Sequence, residues 1–152
     1  GIPFFFVRVD QAGTITKRHS ATRLQFARFG GACPLWNVHQ AFQSPDEILR
    51  QLAVTPDGVT YLSLAFAQSK RVAGFKSPVR KYAIGLGCEA KHSAHVVYAD
   101  DLDLTDISNF EPIGTSCRIC ERADCFHRSV PPIGKEIRVD HNERHSVPFS
   151  VD

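Results

Sequence analysis

Alternation of apolar and polar residues, the pattern of half-buried β-strands, recurs along the chain. Residues 3–20, "PFFFVRVDQAGTITKRHS", predict a β-hairpin with Phe and Val side chains on one face and Gly13 in the turn. The stretches "VTYLSLAFAQS" and "RKYAIGLGC" predict a second hairpin, joined across "RVAGFKSP". A last short strand is predicted at "KEIRVD".

Helix signals occupy the stretches between these strands. The clearest start is at Ser44, because Ser44 and Glu47 have capping-box spacing and Ile48, Leu49 and Leu52 then form an apolar face. Paired glycines mark the end of the candidate helix "ATRLQFARFGG", and a proline marks the start of the candidate "PLWNVHQAF". The four predicted helices are "ATRLQFARFGG", "PLWNVHQAF", "SPDEILRQLAV" and "HSAHVVYADDL".

Hairpins with segregated helices indicate an α+β domain around a mainly antiparallel sheet flanked by helices. The length of 152 residues suits one domain, covering residues 1–152, with a cysteine-rich segment near its C-terminus. Small-molecule sensor domains of the GAF type have a similar arrangement, which makes a GAF-like fold an analogy to test.

Composition and charge exclude several classes of protein. No apolar run approaches the roughly 18 residues of a membrane span, so neither membrane association nor export is expected, and the predicted location is cytoplasmic. The formal charge of +2 is too small to predict nucleic-acid binding by itself. Signatures of hydrolases, metalloproteases and P-loop enzymes are missing from the sequence, so no enzyme activity is expected. The chain contains no Met, which suggests a segment of a longer protein.

Three cysteines lie within nine positions in "CRICERADC": Cys117, Cys120 and Cys125. Thiolates at this spacing can hold one metal centre, either zinc or an iron–sulfur cluster such as 4Fe-4S. A redox-active dithiol and unreactive core thiols are the alternatives. The total of five cysteines cannot pair completely, which favours a reducing compartment.

A tetrahedral centre needs a fourth ligand, and the candidates are Cys33, Cys88 and His127. We favour Cys88, because Gly85 and Gly87 precede it and glycines let another segment approach closely. Cys33 is the rival.

Several phrases together resemble the C-terminal domain of the bacterial short-chain fatty acyl-CoA-responsive transcriptional regulators, which include activators of propionate and methylcitrate metabolism. The resemblance covers nearly all 152 residues and is specific in combination. The phrases are "IPFFFVRVDQAGTITKRHSA", "FARFGGACPLWNVHQAF", "YLSLAFA", "KYAIGLGCEAKHSAHVVYADDLDL" and "PIGTSCRICERADCFHRSVPPIG".

The resemblance implies a ligand-sensing effector domain that binds a short-chain acyl-CoA, such as propionyl-CoA or acetyl-CoA. It implies that DNA is bound only through a separate N-terminal helix-turn-helix of the XRE type, which this sequence lacks, and that the full-length regulator is a homo-oligomer. An iron–sulfur cluster on the cysteines has been proposed within the family, so a redox-sensing module is the alternative function.

Residue chemistry suggests how such a ligand is held. The phosphates of coenzyme A require several Lys or Arg groups, and the short acyl chain requires an apolar slot. His39, beside Trp36, is a candidate for orienting a polar group. The predicted apolar walls are Trp36, Phe29 and Tyr82, and the predicted phosphate ligands are Arg71, Lys76, Arg80 and Lys81.

Overall fold

Six strands form one sheet in which all but one of the pairings are antiparallel. The computed structural model describes residues 1–28 and 30–151. The strand order is β2-β1-β5-β4-β3-β6, and only β3 and β6 run parallel. A separate two-stranded sheet, β7-β8, lies near the C-terminus. The strands are β1 Phe5–Asp10, β2 Ile15–Ser20, β3 Leu49–Val54, β4 Thr60–Arg71, β5 Val79–Glu89, β6 Glu111–Pro112, β7 Ile137–Arg138 and β8 Ser150–Val151.

Both hairpins predicted from the sequence are present. β1 pairs with β2, and the Gly13 N–H donates to the carbonyl of Asp10 in the turn, where the φ of +80° suits glycine. β4 pairs with β5 over eleven residue pairs, and β1 pairs with the other edge of β5. The predicted α+β class with a mainly antiparallel sheet is therefore confirmed.

The helix predictions are largely wrong. Residues 21–28 contain no helix, and residues 90–99 form short 3-10 turns. The segment 44–54 makes a single turn, in which the Glu47 N–H donates to the Ser44 carbonyl, and then enters β3. Pairing with β4 outweighs the local capping signal there.

One of the predicted helices is confirmed in part. α1, Asn37–Gln40, and the 3-10 turn Ala41–Gln43 that follows it fall within "PLWNVHQAF". The sheet is thus flanked by short turns and loops, and no helix in the described part of the chain is long or apolar enough to cross a bilayer.

The two faces of the sheet differ in what covers them. The core face carries Phe5, Val7, Ala65 and Ala83, and the segment around Trp36 packs against it. The opposite, outer face carries the alternate residues of each strand, because successive side chains in a strand point to opposite sides. Turns between residues 90 and 110 cover only the end of the outer face around Leu52 and Leu62.

Two glycines of β5 allow this close packing on the core face. A Cβ on Gly85 would lie 2.6 Å from Cγ1 of Val38, and one on Gly87 would overlap the ring of Phe5 and the carbonyl oxygen of Leu62. The sequence predicted a close approach at these glycines. The approaching groups are the protein's own core.

We expect Gly87→Ala to destabilise the fold by about 1–3 kcal/mol, because overpacking displaces a buried ring and backbone. Gly74→Ala is the matched control, since no atom lies within 4 Å of a Cβ at Gly74, and we expect it to change the free energy of unfolding by less than about 1 kcal/mol. Urea unfolding at constant m-value measures both. Equal stability of the two variants would contradict the close packing.

Candidate functional site

Trp36, one of the predicted ligand-contacting residues, is a core residue. It is 1% exposed, and its ring centroid lies 5.7 Å from that of Phe5 in an edge-on arrangement and 6.4 Å from that of Phe26. Its indole Nε1–H donates to the carbonyl of Gly114 at 2.8 Å. With its ring enclosed and its polar group satisfied, Trp36 anchors the C-terminal segment to the sheet rather than walling a pocket.

His39 also has a structural role. Its Nε2 lies 3.0 Å from the carbonyl oxygen of Cys33, and its ring packs beneath Gly13. Burial lowers the pKa of the His39 imidazole from its usual value, so the neutral form is favoured. Phe29, the third predicted residue of this group, lies outside the described residues.

The Asn37 side chain, next to Trp36, is fully engaged inside the protein. Its amide donates to the carbonyls of Leu49 and Ser63, and its oxygen accepts from the Ser63 hydroxyl. Its backbone N–H donates to Oε1 of Gln51. This network fixes α1 on the core face, so none of these polar groups is available to a ligand.

The predicted phosphate ligands lie together on a projecting ribbon. β4 and β5 remain paired as far as Arg71 opposite Val79, whereas β1 reaches only Tyr82 and β3 reaches only Ala65. We call residues 68–81 the arm. The arm contains five cations and no carboxylate: Lys70, Arg71, Lys76, Arg80 and Lys81.

The strand register divides the arm's cations between two faces. Arg80 and its direct partner Lys70 lie on the outer face, in line with Tyr82. Arg71 and Lys81 lie on the opposite face. The set predicted from sequence therefore does not converge as one group.

Tyr82 is at the centre of a cationic array on the outer face. The guanidinium of Arg8 lies 4.8 Å above the centroid of the Tyr82 ring, and its Nε donates to Oγ1 of Thr16. Arg8 is directly opposite Lys17, just as Lys70 is opposite Arg80. Like charges directly opposite one another in a sheet are destabilising, so both pairs favour a bound anion.

Asp10 is the acidic residue nearest to this array in register, directly opposite Tyr82. Its Oδ1 accepts hydrogen bonds from the backbone N–H groups of Ala12 and Thr14, each at 3.0 Å. The carboxylate is thus committed to the β1–β2 turn.

Four of the five cysteines meet at one small cavity of about 10 Å³, room for a single water molecule. Cys33, Cys117, Cys120 and Cys125 line it. The Gly114 N–H donates to Sγ of Cys33 at 3.4 Å, and a Cβ on Gly114 would lie 2.7 Å from Sγ of Cys120.

Cys88, the favoured fourth ligand, is away from this cavity. It is 1% exposed on β5 and is directly opposite Leu62, on the outer face. Cys33 belongs to the apolar cluster of the core face. The sheet separates Cys88 from Cys33. Of these two candidate fourth ligands, Cys33 lies with Cys117, Cys120 and Cys125 at the cavity, and His127 also lines it.

The geometry at the cavity does not form a metal-ligand set. Within residues 1–28 and 30–151, no three Cys, His, Asp or Glu side chains converge on a point that could hold a metal ion. Arg122 and Arg128 line the same cavity and donate to the carbonyls of Ile113 and Cys117 respectively. Zinc or a cluster would therefore require the thiols to move.

We expect alkylation to divide the cysteines into two groups. Burial raises the pKa of the Cys33 and Cys88 thiols, and only the thiolate reacts. Cys117, Cys120 and Cys125 are partly exposed. Iodoacetamide on the native protein, read by peptide mass spectrometry, should modify these three first. Modification of Cys33 or Cys88 at the same rate would contradict the placement.

Comparison with known proteins identifies the family: residues 1–149 match the one described as "Short-chain fatty acyl coenzyme A regulator, C-terminal". The chain belongs to this family.

Curated relatives carry regulator names. The chain is 66% identical over 151 residues to the "Propionyl-CoA carboxylase regulator" of Cereibacter sphaeroides. It is 45% identical to "HTH-type transcriptional regulator PrpR" and 44% identical to "HTH-type transcriptional regulator RamB", both of Mycobacterium tuberculosis. Each match covers 99% of this chain and 31% or 32% of the relative, so the chain spans about a third of their length.

A solved structure titled "Mycobacterium tuberculosis transcriptional regulator" has the same fold. Its TM-score to this chain is 0.86 at 45% sequence identity. The match covers 99% of this chain and 46% of that one.

Proposed function

We propose that this chain, residues 1–152, is the effector domain of a longer cytoplasmic transcriptional regulator of short-chain fatty acid metabolism. It binds a short-chain acyl-CoA, propionyl-CoA or acetyl-CoA, and controls DNA binding by a separate helix-turn-helix domain. The observation that carries the proposal is the match of residues 1–149 to a family of acyl-CoA regulators. Catalysis is no part of it, and we expect the complete regulator to be a homo-oligomer.

The outer-face array is the best candidate for the phosphates of coenzyme A. Arg8, Lys17, Lys70 and Arg80 lie on the same face of the sheet as Tyr82, and the Arg8 guanidinium contacts the Tyr82 ring. Residues two apart along a strand are about 6.8 Å apart. A phosphate bound beside Tyr82 can therefore also contact the Arg80 side chain. The Arg8–Lys17 and Lys70–Arg80 pairs are four residues apart along β5, so separate phosphates of one coenzyme would offset the repulsion within each pair and gain charge-assisted hydrogen bonds.

Apolar side chains continue from Tyr82 along the same face. Ile84 and Phe66 are directly paired, as are Leu86 and Leu64, and Phe66 and Leu86 are exposed. This surface suits the pantetheine and acyl portions of the ligand. An open apolar surface discriminates little between acyl lengths, since one methylene contributes only about 1–3 kcal/mol even in a closed pocket.

We expect propionyl-CoA to raise the melting temperature, because a ligand that binds only the native state stabilises it, by about 2.7 kcal/mol at one hundred times its Kd. Arg80→Ala should reduce this shift and its dependence on salt, since a phosphate contact is lost. Lys135→Ala, which removes an exposed cation elsewhere, is the matched control and should keep the shift.

Differential scanning fluorimetry at two salt concentrations measures these shifts. Equal shifts from propionate and propionyl-CoA would contradict recognition of the coenzyme. A full shift in Arg80→Ala would contradict the phosphate site on the outer face.

A second candidate function is thiol-based sensing, because four cysteines line one cavity together with two arginines. Zinc or an iron–sulfur cluster would draw on Cys33, Cys117, Cys120 and Cys125 after rearrangement.

Cys120→Ser should then lower the metal content of anaerobically purified protein and its stability together. Cys88→Ser is the matched control, since Cys88 lies on the other face, and should keep the metal content. Elemental analysis and absorbance near 400 nm measure the outcome. Metal content unchanged in Cys120→Ser would rule out a shared centre, and loss in Cys88→Ser would restore Cys88 as a ligand.

A further inference from the structure

We propose that the arm, residues 68–81, contacts the phosphate backbone of duplex DNA as an accessory to the separate DNA-binding domain. The arm is a two-stranded antiparallel ribbon that extends past both of its neighbouring strands. It carries five cations and no carboxylate over fourteen consecutive residues. A surface of this kind attracts a polyanion and repels basic partners.

The directions of the cations favour an extended polyanion over a compact one. Lys70 and Arg80 lie on the outer face of the ribbon, while Arg71 and Lys81 lie on the other face, and Lys76 is in the connecting loop. A compact ligand is held by groups that converge on it, as around Tyr82. Cations on opposite faces of one ribbon can contact the same ligand only if that ligand has negative charges on both sides of the ribbon.

The grooves of DNA surround a ribbon in this way. The major groove, about 12 Å wide, admits a two-stranded β-ribbon, whose strands lie about 4.8 Å apart, and phosphates line both of its walls. Lys70 and Arg80 on one face and Lys81 on the other would then meet the two phosphate backbones, while Arg71 remains bonded to the loop. Such contacts add affinity without reading sequence.

The tip of the arm is built to project. Arg71 donates to the carbonyls of Phe75 and Ser77, which closes the loop, and its guanidinium lies 5.8 Å from the centroid of the Phe75 ring. Phe75 is nevertheless 93% exposed and Val72 is 73% exposed. The tip therefore stands clear of the rest of the described structure.

An anionic membrane surface is the other polyanion that a basic, apolar-tipped arm would suit. DNA is favoured because cations on opposite faces suit two walls, whereas a membrane meets one face. The choice also rests on the proposed role in a transcriptional regulator.

The test is fluorescence anisotropy of this chain with a labelled 20-base-pair duplex of arbitrary sequence, between 25 and 200 mM salt. The double variant K76A/K81A should lower the slope of log K against log salt by roughly 1 to 2, because each lost phosphate contact removes about 0.9. K135A/R144A removes the same net charge from exposed sites outside the arm and should keep the wild-type slope. K76R/K81R should also keep it.

The melting temperature of each variant, measured without DNA or acyl-CoA, establishes that it is folded. The proposal is overturned if the wild type shows no salt-dependent binding, if K76A/K81A keeps the wild-type slope, or if the two charge-removing pairs lose slope equally. Binding to vesicles of phosphatidylglycerol and phosphatidylcholine without binding to the duplex would also overturn it. Stabilisation of the wild type by propionyl-CoA is measured separately, so failure of the proposed ligand and failure of the arm are distinguishable.

Discussion

The rest of the structure depends on the close approach of the Trp36 segment to the sheet. Gly85 and Gly87 leave space on β5 that Val38 and the Phe5 ring fill, and any side chain there would clash with them. Trp36 packs on Phe5 and donates its indole hydrogen bond to Gly114. One contact layer therefore fixes both the short helix on the sheet and the start of the cysteine-rich segment.

This packing makes the two faces of the sheet different. The core face around Trp36 is filled by aromatic side chains and by the Asn37 hydrogen bonds. The outer face is covered only at the end around Leu62, which leaves the cationic array at Tyr82 accessible. Core packing and the cationic array thus occupy opposite sides of the same strands.

The cysteine cavity is a consequence of the same layer. The Trp36–Gly114 hydrogen bond holds Gly114 beside Cys33, whose Sγ accepts a hydrogen bond from the Gly114 N–H. Cys120 occupies the space that a side chain at position 114 would fill. Four thiols gather there although three come from one segment and the fourth from about eighty residues earlier. Movement of this segment would change the thiols and the sheet together.

Sequence alone determined the two hairpins, the close approach at Gly85 and Gly87, and the family, because period-two alternation, turn glycines and motif combinations are local signals. Tertiary structure decided the rest. The capping signal at Ser44 failed because pairing with β4 stabilises a strand that no local pattern reveals. Cys88 lies away from the other cysteines, and the arm's cations are divided between two faces, because strand register sets which face of the sheet each of these side chains occupies. Cys33 reaches the cysteine cavity from the segment that packs on the core face.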